Sequence, residues 1–259
     1  MANSSIILAG QVLHGRDHLG DWRVNKLDGY FESPGVRSSS ADRVNDDGEH
    51  DVPVNNTARF ITMSGRVLCS GPAQVRHAAN RLTGLLRSKT ETLQVTDADG
   101  TTWARVKRNG PTTPVKVNDR MLRFQFDIKA PDSHRFGKVH IEELTGGQSR
   151  SLYHYGNTEA APLVEIRGPI TGGYQINSND GRVFRVNSGI ASGARHTIDM
   201  NDGLLRVNGR VQAGLVGQAD VWKIPPGLLP SGGTLNMALR PDVASQTPVG
   251  SVYITDTYI

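Results

Sequence analysis

His196-Thr197-Ile198-Asp199-Met200-Asn201-Asp202-Gly203-Leu204-Leu205-Arg206-Val207-Asn208-Gly209 reads as strand, turn, strand and turn in immediate succession. Ile198 and Met200 alternate with Thr197 and Asp199, the period of a half-buried strand. Asn201-Asp202-Gly203 and Asn208-Gly209 supply residues that tolerate positive φ, as tight hairpin turns require. The pattern recurs on both sides, in Leu163–Ile166, Gly173–Ile176, Val183–Val186, Asp220–Ile224, Thr234–Leu239 and Val252–Ile259, with Asn179-Asp180-Gly181 marking another turn. No helical stripe interrupts these runs. About eight short strands in ~100 residues predict an antiparallel β-sandwich for residues 156–259.

Upstream, Gly146-Gly147-Gln148-Ser149 and Gly156-Asn157-Thr158 bracket a polar stretch that ends in Ala160-Ala161-Pro162. It reads as a linker with a short strand around Ser151–Tyr155, so residues 1–155 form a first domain. Phe60, Thr62, Ser64 and Arg66 interleave there with Ile61, Met63 and Val67. Leu93–Thr96 and Thr102–Val106 flank Asp97-Ala98-Asp99-Gly100, a hairpin signal. Met121–Ile128 and Lys138–Ile141 add two more strands. One segment has helical spacing, Pro72 to about Ser88, where Val75, Ala78, Ala79, Leu82, Leu85 and Leu86 make a single apolar stripe. Ser70 or Gly71 can cap its start, and Pro72 suits a first turn. The first domain is therefore strand-rich with one packed helix.

The chain has 259 residues, 37% of them hydrophobic and 21% charged, a balance that excludes a disordered chain. Its 29 glycines and 13 prolines suit a many-turned fold. One cysteine, Cys69, excludes an internal disulfide and a cysteine-rich zinc site. Met1–Ser5 has no basic character and Ile6–Ala9 is too short an apolar run for a signal peptide. No stretch reaches the ~20 apolar residues of a membrane helix. These features predict a soluble protein of a reducing compartment, without a membrane anchor. The net charge is +4; residues 156–259 hold eight basic and eight acidic groups, so the excess lies in residues 1–155. Arg76, Arg81, Arg87 and Lys89 form the densest basic run, with no acid between Pro72 and Thr90. Such a run can face a polyanion, but the solvated side of an amphipathic helix explains it more economically.

No constellation points to catalysis. His14-Gly15-Arg16-Asp17-His18 offers two imidazoles and a carboxylate, but its glycine argues for a loop rather than a metal-binding helix face. Asp97-Ala98-Asp99-Gly100 lacks the third acid and the bidentate glutamate of a calcium loop. Ser188-Gly189-Ile190-Ala191-Ser192-Gly193 lacks the Gly-Lys-Ser/Thr ending of a phosphate loop. Cys69 has no partner pattern for a nucleophile, and Glu142, Glu143, Asp199 and Asp202 have no assignable roles. No catalytic, cofactor-binding or metal-ligating residue is predicted. Trp222, Tyr174 and Tyr253 are the candidates for contacting a ligand or partner, joined by Tyr258; for Trp222, core packing is the heavier reading.

Taken in order, several of these motifs resemble the distal tail (Dit) proteins of long-tailed bacteriophages. The residues that carry the resemblance are Thr197-Ile198-Asp199-Met200, Gly203, Arg206-Val207-Asn208-Gly209 and Val221-Trp222-Lys223-Ile224-Pro225-Pro226-Gly227. Leu27-Asp28-Gly29, Ile61–Val67 followed by the helix at Pro72, and the closing Val252–Ile259 extend it over most of the chain. The resemblance implies a β-barrel or split-sheet belt domain with one helix, followed by a galectin-like sandwich. It also implies a hexameric ring between tail tube and tail tip, contacts with tail-tube and hub proteins and with receptor-binding proteins, and DNA only as passing cargo. The place implied is the virion tail, after assembly in the host cytoplasm. Ser33–Asn56, long and polar, departs from the simplest members and reads as an arm reaching a neighbouring subunit. The alternative to a structural role is a carbohydrate-binding module that uses the second sandwich.

Overall fold

The computed structural model describes residues 4–37, 47, 50, 54–87, 89–227 and 233–259. It divides into two compact units, Met1–Arg135 with Ile259 and Phe136–Tyr258.

The first unit holds β1 (Ser5–Leu8), β2 (Gln11–Arg16), β3 (Asp21–Asp28), a minor ladder of β4 (Val36–Arg37) and β5 (Asn55–Asn56), β6 (Arg59–Leu68), α1 (Pro72–Gly84), β7 (Glu91–Thr96), β8 (Thr101–Arg108), β9 (Thr113–Asn118) and β10 (Met121–Ala130). The antiparallel order β8-β7-β1-β2-β3-β6-β10 closes on itself, because Ile128 and Lys129 of β10 pair with Arg108 and Lys107 of β8. A barrel removes the exposed edges of its strands. β9 adds to the first half of β10, outside the closed ring. Strict alternation on β6 and β10 sends Ile61, Met63 and Val67, and Leu122, Phe124, Phe126 and Ile128, into one core. Trp22 lies against Phe124 at 5.8 Å, and Phe124 stacks on Phe126 at the same separation.

Helix α1 buries Val75, Ala78 and Leu82 and packs on β6, β9 and β10. It starts at Pro72 as expected but ends at Gly84, a turn before the expected limit near Ser88, which lies outside the described residues. Leu85 is already extended, its N–H bonded to the Leu82 carbonyl at 3.2 Å, and Leu86 takes φ 56°. Both leucines remain in the core: the apolar stripe reports burial correctly but overstates helix length. Most of the Ser33–Asn56 arm also lies outside the described residues.

The second unit is a two-sheet sandwich. It contains β11 (Arg135–Thr145), β12 (Ser149–Leu152), β13 (Leu163–Arg167), β14 (Tyr174–Ser178), β15 (Val183–Val186), β16 (Arg195–Asp199), β17 (Leu204–Val207), β18 (Arg210–Val211), β19 (Val216–Ala219), β20 (Leu235–Pro241) and β21 (Val249–Tyr258). One sheet runs β18-β17-β16-β13-β21-β11 and the other β12-β20-β14-β15-β19. Ile166, Ile176, Phe184, Ile198, Leu239 and Ile254 are among the side chains that fill the space between them. The β17–β18 hairpin has the expected chemistry: Val207 pairs with Arg210 across Asn208 (φ 47°) and Gly209 (φ 85°), the two positive values of a type I′ turn.

Two expectations change. The units divide at Arg135/Phe136 rather than at 155/156, because β11 and β12 belong to the sandwich sheets, β12 pairing with β20 from Ser149↔Ala238 to Leu152↔Leu235. The stretch read as a linker includes that strand, and its Leu152 and His154 are buried. Asp220–Ile224 is not a strand. β19 stops at Ala219, the Asp220 carboxylate accepts the Val183 N–H at 3.0 Å, and only Ile224 forms a bridge, to Ala160. Pro225 and Pro226 have no N–H with which to continue a ladder.

Candidate functional site

The three aromatic candidates are not brought together. Tyr174 on β14 is fully buried, and its hydroxyl meets His196 Nδ1 at 3.0 Å. Burial pushes the Tyr174 phenol well above the usual tyrosine range. Trp222 is 1% exposed in the same core. Neither ring offers a face on which a sugar could stack. Tyr253 lies opposite Leu163 across the β13–β21 pair and is half-buried, as is Tyr258.

An aromatic cluster that the sequence reading missed lies after β12. Tyr153 and Tyr155 are 46% and 52% exposed and meet edge to face at 5.6 Å. The His140 ring stands 5.4 Å from Tyr155, and His140 Nε2 lies 3.0 Å from both carboxylate oxygens of Asp256, which is 4% exposed. The same carboxylate accepts the Tyr155 N–H at 2.7 Å. Alternation was the available signal: Tyr153 and Tyr155 face out while His154 between them faces in.

The sequence motifs with possible chemistry have structural uses. Between His14 and His18, Asp17 closes the β2–β3 connection. Its carboxylate accepts from Leu19 and Gly20 N–H at 2.9 and 3.1 Å, Trp22 Nε1 at 2.7 Å and Gln11 Nε2 at 2.7 Å. Burial alone would raise its pKa; these donors outweigh that and hold it below the usual carboxylate value. Asp97 turns the β7–β8 hairpin by accepting from Asp99 and Gly100 N–H. Glu142 is paired with Arg150, and Asp202 with Arg206. Cys69 is buried, which pushes its thiol up, away from the reactive thiolate. Among the described residues, no three His, Cys, Asp or Glu side chains gather into a metal-binding group.

The basic groups of the first unit make two surfaces. Arg81, Arg87 and Lys89 line a groove at the end of α1, where Arg81 donates to Gln11 Oε1 at 3.1 Å. The other surface is on the barrel's outer face. Register sets Arg23 of β3 opposite Arg66 of β6, and Arg66 opposite Arg123 of β10, all three exposed. Sequence separation hides this row, because only strand register aligns it.

No protein-family model matches the chain, and no curated protein sequence does. Solved structures do. The SPP1 Dit protein, described as a paradigm of the hub adsorption apparatus in phages that infect Gram-positive bacteria, superposes with a TM-score of 0.75 over 99% of both chains at 15% identity. Chains of the phage P2 baseplate in its activated conformation match at TM-scores of 0.54 with Ca and 0.55 with Sr, over 97–99% of this chain at 7–8% identity. Barrel, helix and sandwich thus follow one another here as they do in a phage hub protein, and the fold of this chain is that of the SPP1 Dit protein along nearly its whole length.

Proposed function

We propose that the protein is a structural component of a phage tail tip, with copies joined through the barrel unit into a hexameric ring between tail tube and tip. The sandwich unit then carries peripheral host-attachment proteins, and no step in this role is catalytic. The observation that supports this reading is the full-length likeness to the SPP1 Dit protein, which spans both units instead of one common module. A sandwich alone would say little, since that architecture hosts many functions. Ring closure requires a heterologous contact with a fixed rotation between copies. The barrel offers exposed apolar groups for it, among them Phe31 and Phe60. Electron microscopy of the purified protein, alone and mixed with its tail-tube protein, tests the proposal. Six-fold rings support it; a monomer at high concentration that also ignores the tube protein overturns it.

A further inference from the structure

We infer that the arginine row on the outer face of the barrel is a binding surface for a phosphodiester backbone. Arg23, Arg66 and Arg123 stand directly opposite one another on three adjacent strands. Neighbouring strands lie ~4.8 Å apart, so the three stems rise in a line ~10 Å long. Like charges placed directly opposite across a sheet destabilise it. Arg23 is relieved by Asp21 at 3.2 Å. The guanidinium groups of Arg66 and Arg123 make no hydrogen bond or ion pair among the described residues. Asp127, a carboxylate lining the same groove, instead accepts the Thr62 hydroxyl at 2.8 Å. The chain thus keeps a repulsive pair in the middle of a well-formed sheet without internal compensation.

An external anion would supply that compensation. Two of the three, Arg66 and Arg123, line a groove of about 690 Å3, where Ser64, Gln125 and Thr113 flank them with neutral hydrogen-bonding groups. A line of forked guanidinium donors fits a chain of repeated anions, and arginine pairs phosphate oxygens two at a time. A protein partner with three aligned carboxylates would carry the same like-charge cost on its own surface, whereas a nucleic-acid backbone carries its charges in a row by constitution. Phosphate contacts of this kind hold without reading sequence. The inference does not rest on ring assembly, because the row is complete within one copy.

The test is fluorescence anisotropy of the full chain with a labelled random-sequence DNA duplex, across a salt series. The expected result is binding that weakens linearly in log–log salt. The double variant Arg66→Gln/Arg123→Gln weakens it about tenfold or more and lowers the salt slope by about two. Arg66→Lys/Arg123→Lys keeps the slope. Arg76→Gln, on the exposed side of α1, changes affinity less than about twofold. The melting temperature of the Gln variant stays level or rises, which separates lost binding from lost folding. Equal weakening by Arg76→Gln, no effect of the double variant, or stronger competition by polyglutamate than by unlabelled duplex at matched charge would each overturn the inference, the last by pointing to an acidic protein. Ring formation is read separately by microscopy, so failure of either proposal is distinguishable from failure of the other.

Discussion

Asp256 and His140 form an enclosed contact in the sandwich unit: His140 Nε2 sits 3.0 Å from both Asp256 oxygens, and one oxygen also takes the Tyr155 N–H at 2.7 Å. One carboxylate near the end of β21 thereby fixes a β11 side chain and the backbone that follows β12. Asp256→Ala leaves both partners without an acceptor in a nearly closed site and is expected to cost about 2–4 kcal/mol. Asp256→Asn keeps an acceptor for Tyr155 and is expected to cost about half as much. Urea unfolding of both variants checks this, and a loss below about 1 kcal/mol for the alanine would show that water takes over both contacts.

Arg59 has the same role in the barrel unit. It is fully buried and donates to the carbonyls of Ser133 (3.0 Å), Tyr30 (3.0 Å), Gly29 (3.2 Å) and Glu32. Burial, followed by the neighbouring Arg135, lowers its pKa from the usual guanidinium value. Arg135 in turn covers the rings of Tyr30 and Phe31 at 5.5 and 5.3 Å. Arg59→Lys cannot span four carbonyls in different directions, so it is expected to lose about 2–4 kcal/mol despite keeping the charge. Limited proteolysis should then cut first in residues 29–33, and an unchanged digestion pattern would contradict the clamp.

How far the sequence revealed this architecture depends on how local each signal is. The strands and turns from Leu163 to Val207 were legible because alternation and Asn/Gly turns are read within a few residues. β1, β2 and β3 were not, since Ser5–Asp28 mixes His, Gly, Asp and Asn into short runs whose strand state comes from barrel closure. The glycines of 146–158 read as a linker, yet Gly146 packs against Pro248 and Gly156 against the Thr257 carbonyl; composition cannot separate a flexible glycine from one required by close approach. Of the site candidates, Tyr174 and Trp222 went into the core because their size favours burial. The arginine row stayed invisible until register brought together residues more than forty positions apart.

Gly65 shows what that register demands. A Cβ built there would stand 2.3 Å from the Arg23 carbonyl oxygen and 2.7 Å from the Phe124 ring. β3 bulges just beyond this point, between Val24 and Lys26. Gly65→Ala must push β3 away from β6 and is expected to destabilise the barrel by about 1–3 kcal/mol. Because the displaced strand carries Arg23, the same variant should also weaken DNA binding, while Asn25→Ala at the bulge should not destabilise comparably. Thermal melts and anisotropy on the two variants check the pair of expectations.

Two buried histidines give the sandwich a defined response to acid. His196 contacts the Tyr174 hydroxyl inside the core, and burial lowers its pKa; burial is also the largest influence on His154, whose pKa is likewise lowered. In the unfolded chain both imidazoles take up a proton near pH 6.5. Below that value the unfolded state binds more protons than the folded one, so stability falls as pH falls, by at most about 1.4 kcal/mol per pH unit for each histidine. Their contribution is complete above pH 6.5 and is lost progressively beneath it, toward the lowered folded values. His196→Gln keeps a side-chain oxygen for Tyr174 and removes one titration, so its stability between about pH 5.5 and 7.5 should fall less steeply than that of the parent protein by up to one proton. Parallel slopes in denaturant titrations across this window would mean that His196 takes up its proton in the fold as readily as it does in the unfolded chain.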